Sequence, residues 1–327
     1  MSRLRAACIL VSALTVPVSY AQPGTAQSTA GYPNKPIRIL VTSGPGGGPD
    51  SLIRRMGPQL TKQLGTHVID NRAGATGGIG IELAANALPD GYTIVLTSGQ
   101  VITGMLMKTV KTDIPKALTP IAQLSRQSYL LVSHPSFPAS SVKELIALAK
   151  AQPGKIVYGS SGTGGVVHLG MELFSALAGI EMLHAPYKAS GQVMAAMVGG
   201  EVQLSITNIL TATPQVQSGK VKALAVTGLE RVHTFPAVPT VSESGIAGFD
   251  LTNWYGMMAP MGTPAPTIEK INRVATSIIN SPDIKQALLN EGITPVAPHP
   301  PADFGRAIAR EIAMWDKFFK SGKIKLQ

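Results

Sequence analysis

From Tyr32 onward, short apolar runs rich in β-branched residues alternate with stretches whose apolar positions recur at helical spacing. That alternation is the pattern of an α/β fold built on a mainly parallel sheet. Ile37-Arg38-Ile39-Leu40-Val41 reads as the first strand, and a helix over about 51–64 follows, with Gly65 placed to end it. Residues 67–71 and 93–97 read as the next strands, separated by a helix near 79–87 and a Pro89-Asp90-Gly91 turn. A second set begins near Leu130-Leu131-Val132. Its marks are a capping box, Ser141-Val142-Lys143-Glu144, a Pro153-Gly154 turn and a strand at Ile156-Val157-Tyr158. Helices over 166–177 and 191–198 and strands over 204–207 and 223–226 complete it.

The last quarter is more helical. Ser281-Pro282 places a cap residue before a proline at the first helical position. Phe304, Ile308, Ile312, Trp315 and Phe319 then recur at helical spacing, which predicts a long amphipathic helix that docks through its aromatic face and ends at Gly322. The order, one sheet set, a second sheet set and a helical return, predicts two α/β lobes joined by two crossing segments. Residues 32–126 plus 253–327 would form one lobe and 127–252 the other, with a ligand cleft between them at the carboxyl ends of the strands. No internal sequence repeat stands out.

The N-terminal pattern differs from all of this. Arg3 and Arg5 precede an apolar run from Ala6 to Val18, and Ser19-Tyr20-Ala21 supplies small residues at the two positions a signal peptidase reads. The pattern predicts export to the periplasm with cleavage after Ala21, because the run is shorter than the roughly 18–20 residues that span a bilayer. Residues 22–31 are small and polar and read as a disordered leader. The single cysteine, Cys8, lies in the signal, so the mature chain would have no thiol chemistry, disulfide or Cys-based metal site.

The formal charge of +10 invites a nucleic-acid reading, but the basic residues are scattered and only 5% of residues are aromatic, so no stacking platform is evident. A basic body does favour small anions through long-range steering. No Gly-x-x-x-x-Gly-Lys or Gly-x-Gly-x-x-Gly fingerprint follows a strand, and His67, His134, His168, His184, His233 and His299 show no metal-ligand spacing. They read as structural or surface residues, and neither cofactor nor metal is expected.

The candidate chemistry lies in two glycine-rich loops. Thr42-Ser43-Gly44-Pro45-Gly46-Gly47-Gly48-Pro49-Asp50 connects the first strand to the first helix. Its glycines permit close approach of backbone amides to a ligand, and the following helix adds its positive end, so an anion can be held without a charged side chain. Asp50 is expected to cap the helix from Ser51 or, alternatively, to receive an ammonium group or a bridging water. Tyr158-Gly159-Ser160-Ser161-Gly162-Thr163-Gly164-Gly165 repeats the idea in the other lobe, with hydroxyls suited to a carboxylate. Two such loops facing each other would hold both ends of a dicarboxylate, or of an acid with a polar far end. A nucleophile elbow would need Gly-x-Ser-x-Gly, whereas Ser160-Ser161 are flanked as Gly-Ser-Ser-Gly. With His168 and His184 nearby in sequence, a serine–histidine pair stays open as an alternative.

Together these pieces resemble the Bug-type periplasmic solute-binding receptors of tripartite tricarboxylate transporters. Tyr32-Pro33-Asn34-Lys35-Pro36-Ile37 looks like the family's mature start, and Asn71-Arg72-Ala73-Gly74-Ala75 is similar to its Asn-Arg-x-Gly-Ala segment. Pro89-Asp90-Gly91-Tyr92-Thr93, Pro186-Tyr187-Lys188, and Trp254-Tyr255-Gly256 with Ala259-Pro260 follow in family order. The resemblance implies a two-lobed periplasmic binding protein, type II-like, that closes on an organic acid and is not an enzyme. It carries ligand-holding roles onto Ser43, Gly44, Pro45, Gly46, Gly47, Gly48 and Asp50, onto Ser160, Ser161, Gly162 and Thr163, and onto Ser98, Tyr187 and Lys188.

Three positions depart from the family pattern: Pro49 stands for a hydroxyl residue, Ala189 for glycine, and Asn208 for an acid. Asn208 facing the cleft would remove a negative charge. The resulting expectation is a monomeric receptor that hands a small carboxylate to membrane permease subunits and binds no nucleic acid. A ligand sensor for a signalling partner and an exported serine hydrolase are the alternatives.

Overall fold

The structure is a computed structural model that describes residues 31–187 and 190–322. The expected signal peptide, the leader up to residue 30, Lys188 and Ala189 lie outside the described residues. The chain opens with β1 (Ile37–Val41), α1 (Gly48–Leu64), β2 (His67–Asn71), α2 (Gly78–Ala85), β3 (Thr93–Ser98), α3 (Gln100–Leu106) and α4 (Ile114–Ala117). A 16-residue strand, β4 (Leu118–Ser133), leads into α5 (Val142–Ala151), β5 (Val157–Ser160), α6 (Val166–Ala178), β6 (Leu183–Pro186) and α7 (Ser190–Val198). Next come β7 (Leu204–Asn208), α8 (Ile209–Gln217) and β8 (Lys222–Val226). The return is β9 (Thr252–Pro260), α9 (Ala265–Ile279), α10 (Pro282–Asn290), β10 (Thr294–Pro295) and α11 (Pro301–Lys320).

The sheet order is β2-β1-β3-β9-β4-β7-β5-β6, with β8 and β10 pairing onto β4. Two parallel sets, β2-β1-β3 and β7-β5-β6, flank the central pair β9-β4, which is antiparallel to its neighbours. The expected mainly parallel sheet is therefore a mixed one. Sequence patterning found β1, β2, β3, β5 and β7 of the parallel sets but not β6, whose four residues are half-buried or exposed and form no apolar run. It read only residues 130–132 of β4, because the stretch from Gln123 to Ser128 is polar and lacks an apolar alternation.

Strand β4 serves both parallel sets. Residues 118–128 pair with β9, and residues 129–133 pair with β7 and β8. Thr227, fully buried, ties the changeover together: it accepts from the Tyr129 amide (2.8 Å) and donates to the Leu251 carbonyl (2.7 Å). On one face of β1, β3 and β9, α1 and α9 bury Leu52, Ile53 and Met56 beside Ile271 and Ile278. On the other face, the amphipathic α11 docks Phe304, Ile308 and Trp315 into the larger core as their spacing predicts, while Phe318, outside the predicted set, is buried and the predicted Ile312 and Phe319 are only partly covered. Phe304 meets Trp254 edge-on at 5.0 Å, and only a glycine at 256 leaves room, since a Cβ there would overlap the Phe304 ring. Trp254 Nε1 also donates to Glu311 Oε2 of α11 at 2.6 Å.

A candidate carboxylate site at two matched glycine turns

The two glycine-rich loops share one backbone design. In the first, the Gly47 amide donates to the Gly44 carbonyl (3.0 Å), with Pro45 and Gly46 as the central residues and Gly46 at φ +78°. In the second, the Gly165 amide donates to the Gly162 carbonyl (3.3 Å), with Thr163 and Gly164 central and Gly164 at φ +77°. A positive φ at the third position of a turn calls for glycine, and both loops supply it. Gly47 (φ −66°, ψ 160°) and Gly165 (φ −71°, ψ 162°) then start α1 and α6. Aligned this way, Ser43-Gly44-Pro45-Gly46-Gly47 and Ser161-Gly162-Thr163-Gly164-Gly165 form a short internal repeat that reading the sequence alone had passed over.

Each turn is held from behind by the side chain at the third position of its helix. Asp50 Oδ2 accepts from the Gly46 amide at 2.8 Å; His168 Nδ1 accepts from the Gly164 amide at 3.0 Å. Asp50 is thus neither the cap of a helix from Ser51 nor a free ligand group. The glycine turn lets α1 begin at Gly48, and the carboxylate, 1% exposed, is filled by Gly46, Arg54 (2.9 Å) and Asn71 (2.9 Å). The Arg54 hydrogen bond, with smaller help from Gly46 and Asn71, overcomes burial and lowers its pKa to about 2. Pro49 sits in the first turn of α1, where the missing amide would have had no helical acceptor.

The second loop rests on an imidazole stack. The rings of His168 and His184 lie 4.1 Å apart, and Tyr158 stacks on His184 at 5.0 Å. Burial depresses the pKa of both histidines; for His184, with His168 adding to it, the value falls to about 4. A neutral His168 keeps the Nδ1 lone pair that the Gly164 amide needs. Ser160 is fully buried and its hydroxyl lies 2.6 Å from His184 Nε2 and 3.2 Å from the Gly162 carbonyl, so it belongs to the support of the loop.

Two cavities meet along the second loop at the carboxyl ends of β3, β5 and β7. One, about 220 Å3, is walled by Ser161, Asn208, Gln127, Tyr129, Asn253 and Tyr255 among others. The other, about 280 Å3, is walled by Ser161, Gly162, Thr163, Gln100 and Thr76 among others. The first loop borders this region through Tyr255: a Cβ on Gly48 would overlap the Tyr255 hydroxyl. Ser43 Oγ is buried without a partner and Ser98 lies opposite Tyr255 in the ladder, but neither they nor Gly44–Gly48 wall either cavity. A third hollow, about 350 Å3 between Arg126, Asp250, Trp254 and Glu311, holds none of the expected site residues.

Of the remaining expected residues, Asn208 reaches the smaller cavity but spends its Oδ1 capping α8 on the Leu210 amide (2.8 Å). Tyr187 turns its hydroxyl to Glu201 Oε2 (3.3 Å) and walls neither cavity. The reading of the sequence missed Gln100, Gln127, Tyr129, Asn253 and Tyr255. Asn253 and Tyr255 lie in or beside a quoted family block, but nothing in a lone glutamine or tyrosine distinguishes a cavity wall from a surface.

Two α/β halves bridged by strands, with polar cavities at strand carboxyl ends, define a two-lobed solute-binding protein. A family model described as the tripartite tricarboxylate transporter family receptor, TctC, matches residues 52–323, and the chain belongs to that family. It is 34% identical over 300 residues to protein BugT of Bordetella pertussis, covering 90% of this chain and 92% of BugT. An R. palustris protein solved with adipate superposes with a TM-score of 0.73 at 31% identity, covering 88% of this chain and 97% of that one. MatC from Rhodopseudomonas palustris, solved with bound malate, superposes with a TM-score of 0.70 at 27% identity, covering 88% and 99%. The chain is therefore a Bug-type periplasmic solute-binding receptor, and no helix among the described residues is long and apolar enough to cross a membrane.

Proposed function

We propose that this receptor captures a small organic carboxylate and delivers it to membrane permease subunits. The observation that carries the reading is the matched pair of glycine turns, each opening a helix and each anchored by a third-position side chain. Unpaired first-turn amides and the positive helix ends are what a carboxylate needs. Adipate in one relative and malate in another fit the same chemistry. In this reading the contacts come from Ser43–Gly48, Ser98 and Ser161–Thr163, with the Asn208 amide group beside them, while Asp50 and Ser160 shape the loops; Lys188 stays a contact on the family resemblance alone. The lobes divide at residues 126/127 and 252/253, within and at the start of the crossing strands, and the mature monomer begins after Ala21.

The Ser160–His184 contact is the one feature that favours a serine hydrolase. A fully buried hydroxyl that is also tied to the Gly162 peptide is poorly placed to reach a substrate carbonyl, which supports a structural role for the contact. Calorimetry against a panel of mono-, di- and tricarboxylates should yield at least one saturable binder whose affinity drops about tenfold in Ser161→Ala. A fluorophosphonate probe should leave the chain unlabelled. Absence of any binder in the panel, or labelling at Ser160, would sink the reading.

A further inference from the structure

The smaller cavity carries information about the end of the ligand that the glycine turns do not hold. Its described walls are amide, hydroxyl and aliphatic groups, without an Asp, Glu, Lys, Arg or His among them. Strand alternation places Gln127 and Tyr129 of β4 on one face, with Asn253, opposite Gln127, and Tyr255 on β9. All four are at most 8% exposed. Of these four residues only Gln127 has a side-chain polar atom that is fully buried with no partner; Asn253 Oδ1, for example, accepts from the Gly99 amide at 3.1 Å.

Gln127 is the exception. It is 4% exposed, it lines the cavity, and its Nε2 is buried without a hydrogen-bond partner. Its carboxamide faces the Tyr255 hydroxyl, and that hydrogen-bonding approach offsets part of the burial that raises the Tyr255 pKa, but Nε2 falls outside the distance or angle of a formed bond. A buried donor left in this state costs about 1–3 kcal/mol, and a ligand acceptor would recover that cost. Burial raises the pKa of both Tyr129 and Tyr255, the direction expected where a charge loses its solvent, so the cavity is a poor environment for net charge.

We propose that Gln127 Nε2 receives an uncharged acceptor at the far end of the ligand, which makes the ligand a monocarboxylate with a neutral polar tail rather than a diacid. The inference rests on the carboxylate reading above and narrows it. One carboxylate has the glycine-turn amides and two helix ends to stabilise it. A second one, placed against Gln127, would be desolvated with only neutral donors and no counter-charge among the described walls.

Matched pairs test this: succinate, glutarate and adipate, each against its own monoamide, by calorimetry at pH 7 with the mature chain. For the chain length that fits, the monoamide should bind about tenfold more tightly than the diacid. Gln127→Leu and Gln127→Met should retain folding by thermal melt and bring the two members of that pair within about threefold. A diacid that binds as well as or better than its monoamide overturns the inference while leaving the carboxylate reading intact. So does a preference that survives both substitutions. Failure of every monoamide and every diacid removes the carboxylate reading itself, and the inference with it.

Discussion

The two glycine turns share the φ of their third residue and the dihedrals of the helix entry, though not the φ of their first glycine (+130° at Gly162 alone), and they have opposite chemistry behind them. The first leans on a carboxylate locked by Arg54 and Asn71; the second leans on an imidazole stacked on a second imidazole. Both give the turn amide an acceptor from the third position of the next helix. Aspartate and histidine share no propensity or charge, yet each can offer a lone pair at that distance. The lesson is that the fold selects for an acceptor at a point in space, and the residue that provides it sets how each turn responds to substitution and to pH.

Installing the same side chain in both places separates the two designs most strongly. Asp50→Asn removes the charge that faces Arg54 and sets an amide donor against those of Arg54 and Asn71; it should lower unfolding stability by about 3 kcal/mol in urea. His168→Asn retains an acceptor for the Gly164 amide and loses mainly ring contacts, so about 1–2 kcal/mol is expected. Equal costs would mean that the two supports are not distinct. Gly164→Ala and Gly46→Ala should come next, each at about 1 kcal/mol, with a small excess at 164. Both incur the positive-φ penalty, but a Cβ at 164 also presses on the Met107 methyl while one at 46 meets open space. Urea midpoints in that reversed order would show the second turn to be the looser one.

Acidification should act on the turns in separate windows. His184 has a folded pKa of about 4, below its usual 6.5, so its contribution to stability is complete above about pH 6.5 and is lost as pH falls toward 4. Asp50, lowered from 3.8 to about 2, contributes fully above about pH 4 and loses its effect only as pH falls toward 2. Hydrogen exchange at Gly164 should therefore accelerate between pH 6.5 and 4, after allowance for intrinsic rates, while Gly46 stays protected. Parallel loss at both amides would contradict the assignment of different supports.

Much of this arrangement was legible in the residues. Each turn sits between an apolar strand and a helix start, and the glycine positions follow from the dihedrals a turn demands. The equivalence of Asp50 and His168 was not, because sequence similarity compares chemistry and here the common quantity is the position of a lone pair. The crossing strands were read only in part for a related reason. Gln127 and Tyr129 face a polar cavity on one side, so β4 lacks the apolar alternation that marks a half-buried strand. Lone polar residues such as Gln127 acquire meaning only when burial shows that a donor has nowhere to go.

The joint between the halves has a mechanical consequence. Most hinges are loose segments that absorb a bend at a few dihedrals. Here β4 runs through the joint as one strand, paired with β9 up to Ser128, with β7 from Tyr129 and with β8 from Leu130, its register shifting at bulges on either side, and Thr227 is pinned across the changeover. A change in the angle between the halves must then be stored as added twist along a hydrogen-bonded ribbon. If the halves rotate against each other, such a ribbon would act as a torsion spring with a preferred rest angle, without a stop or latch.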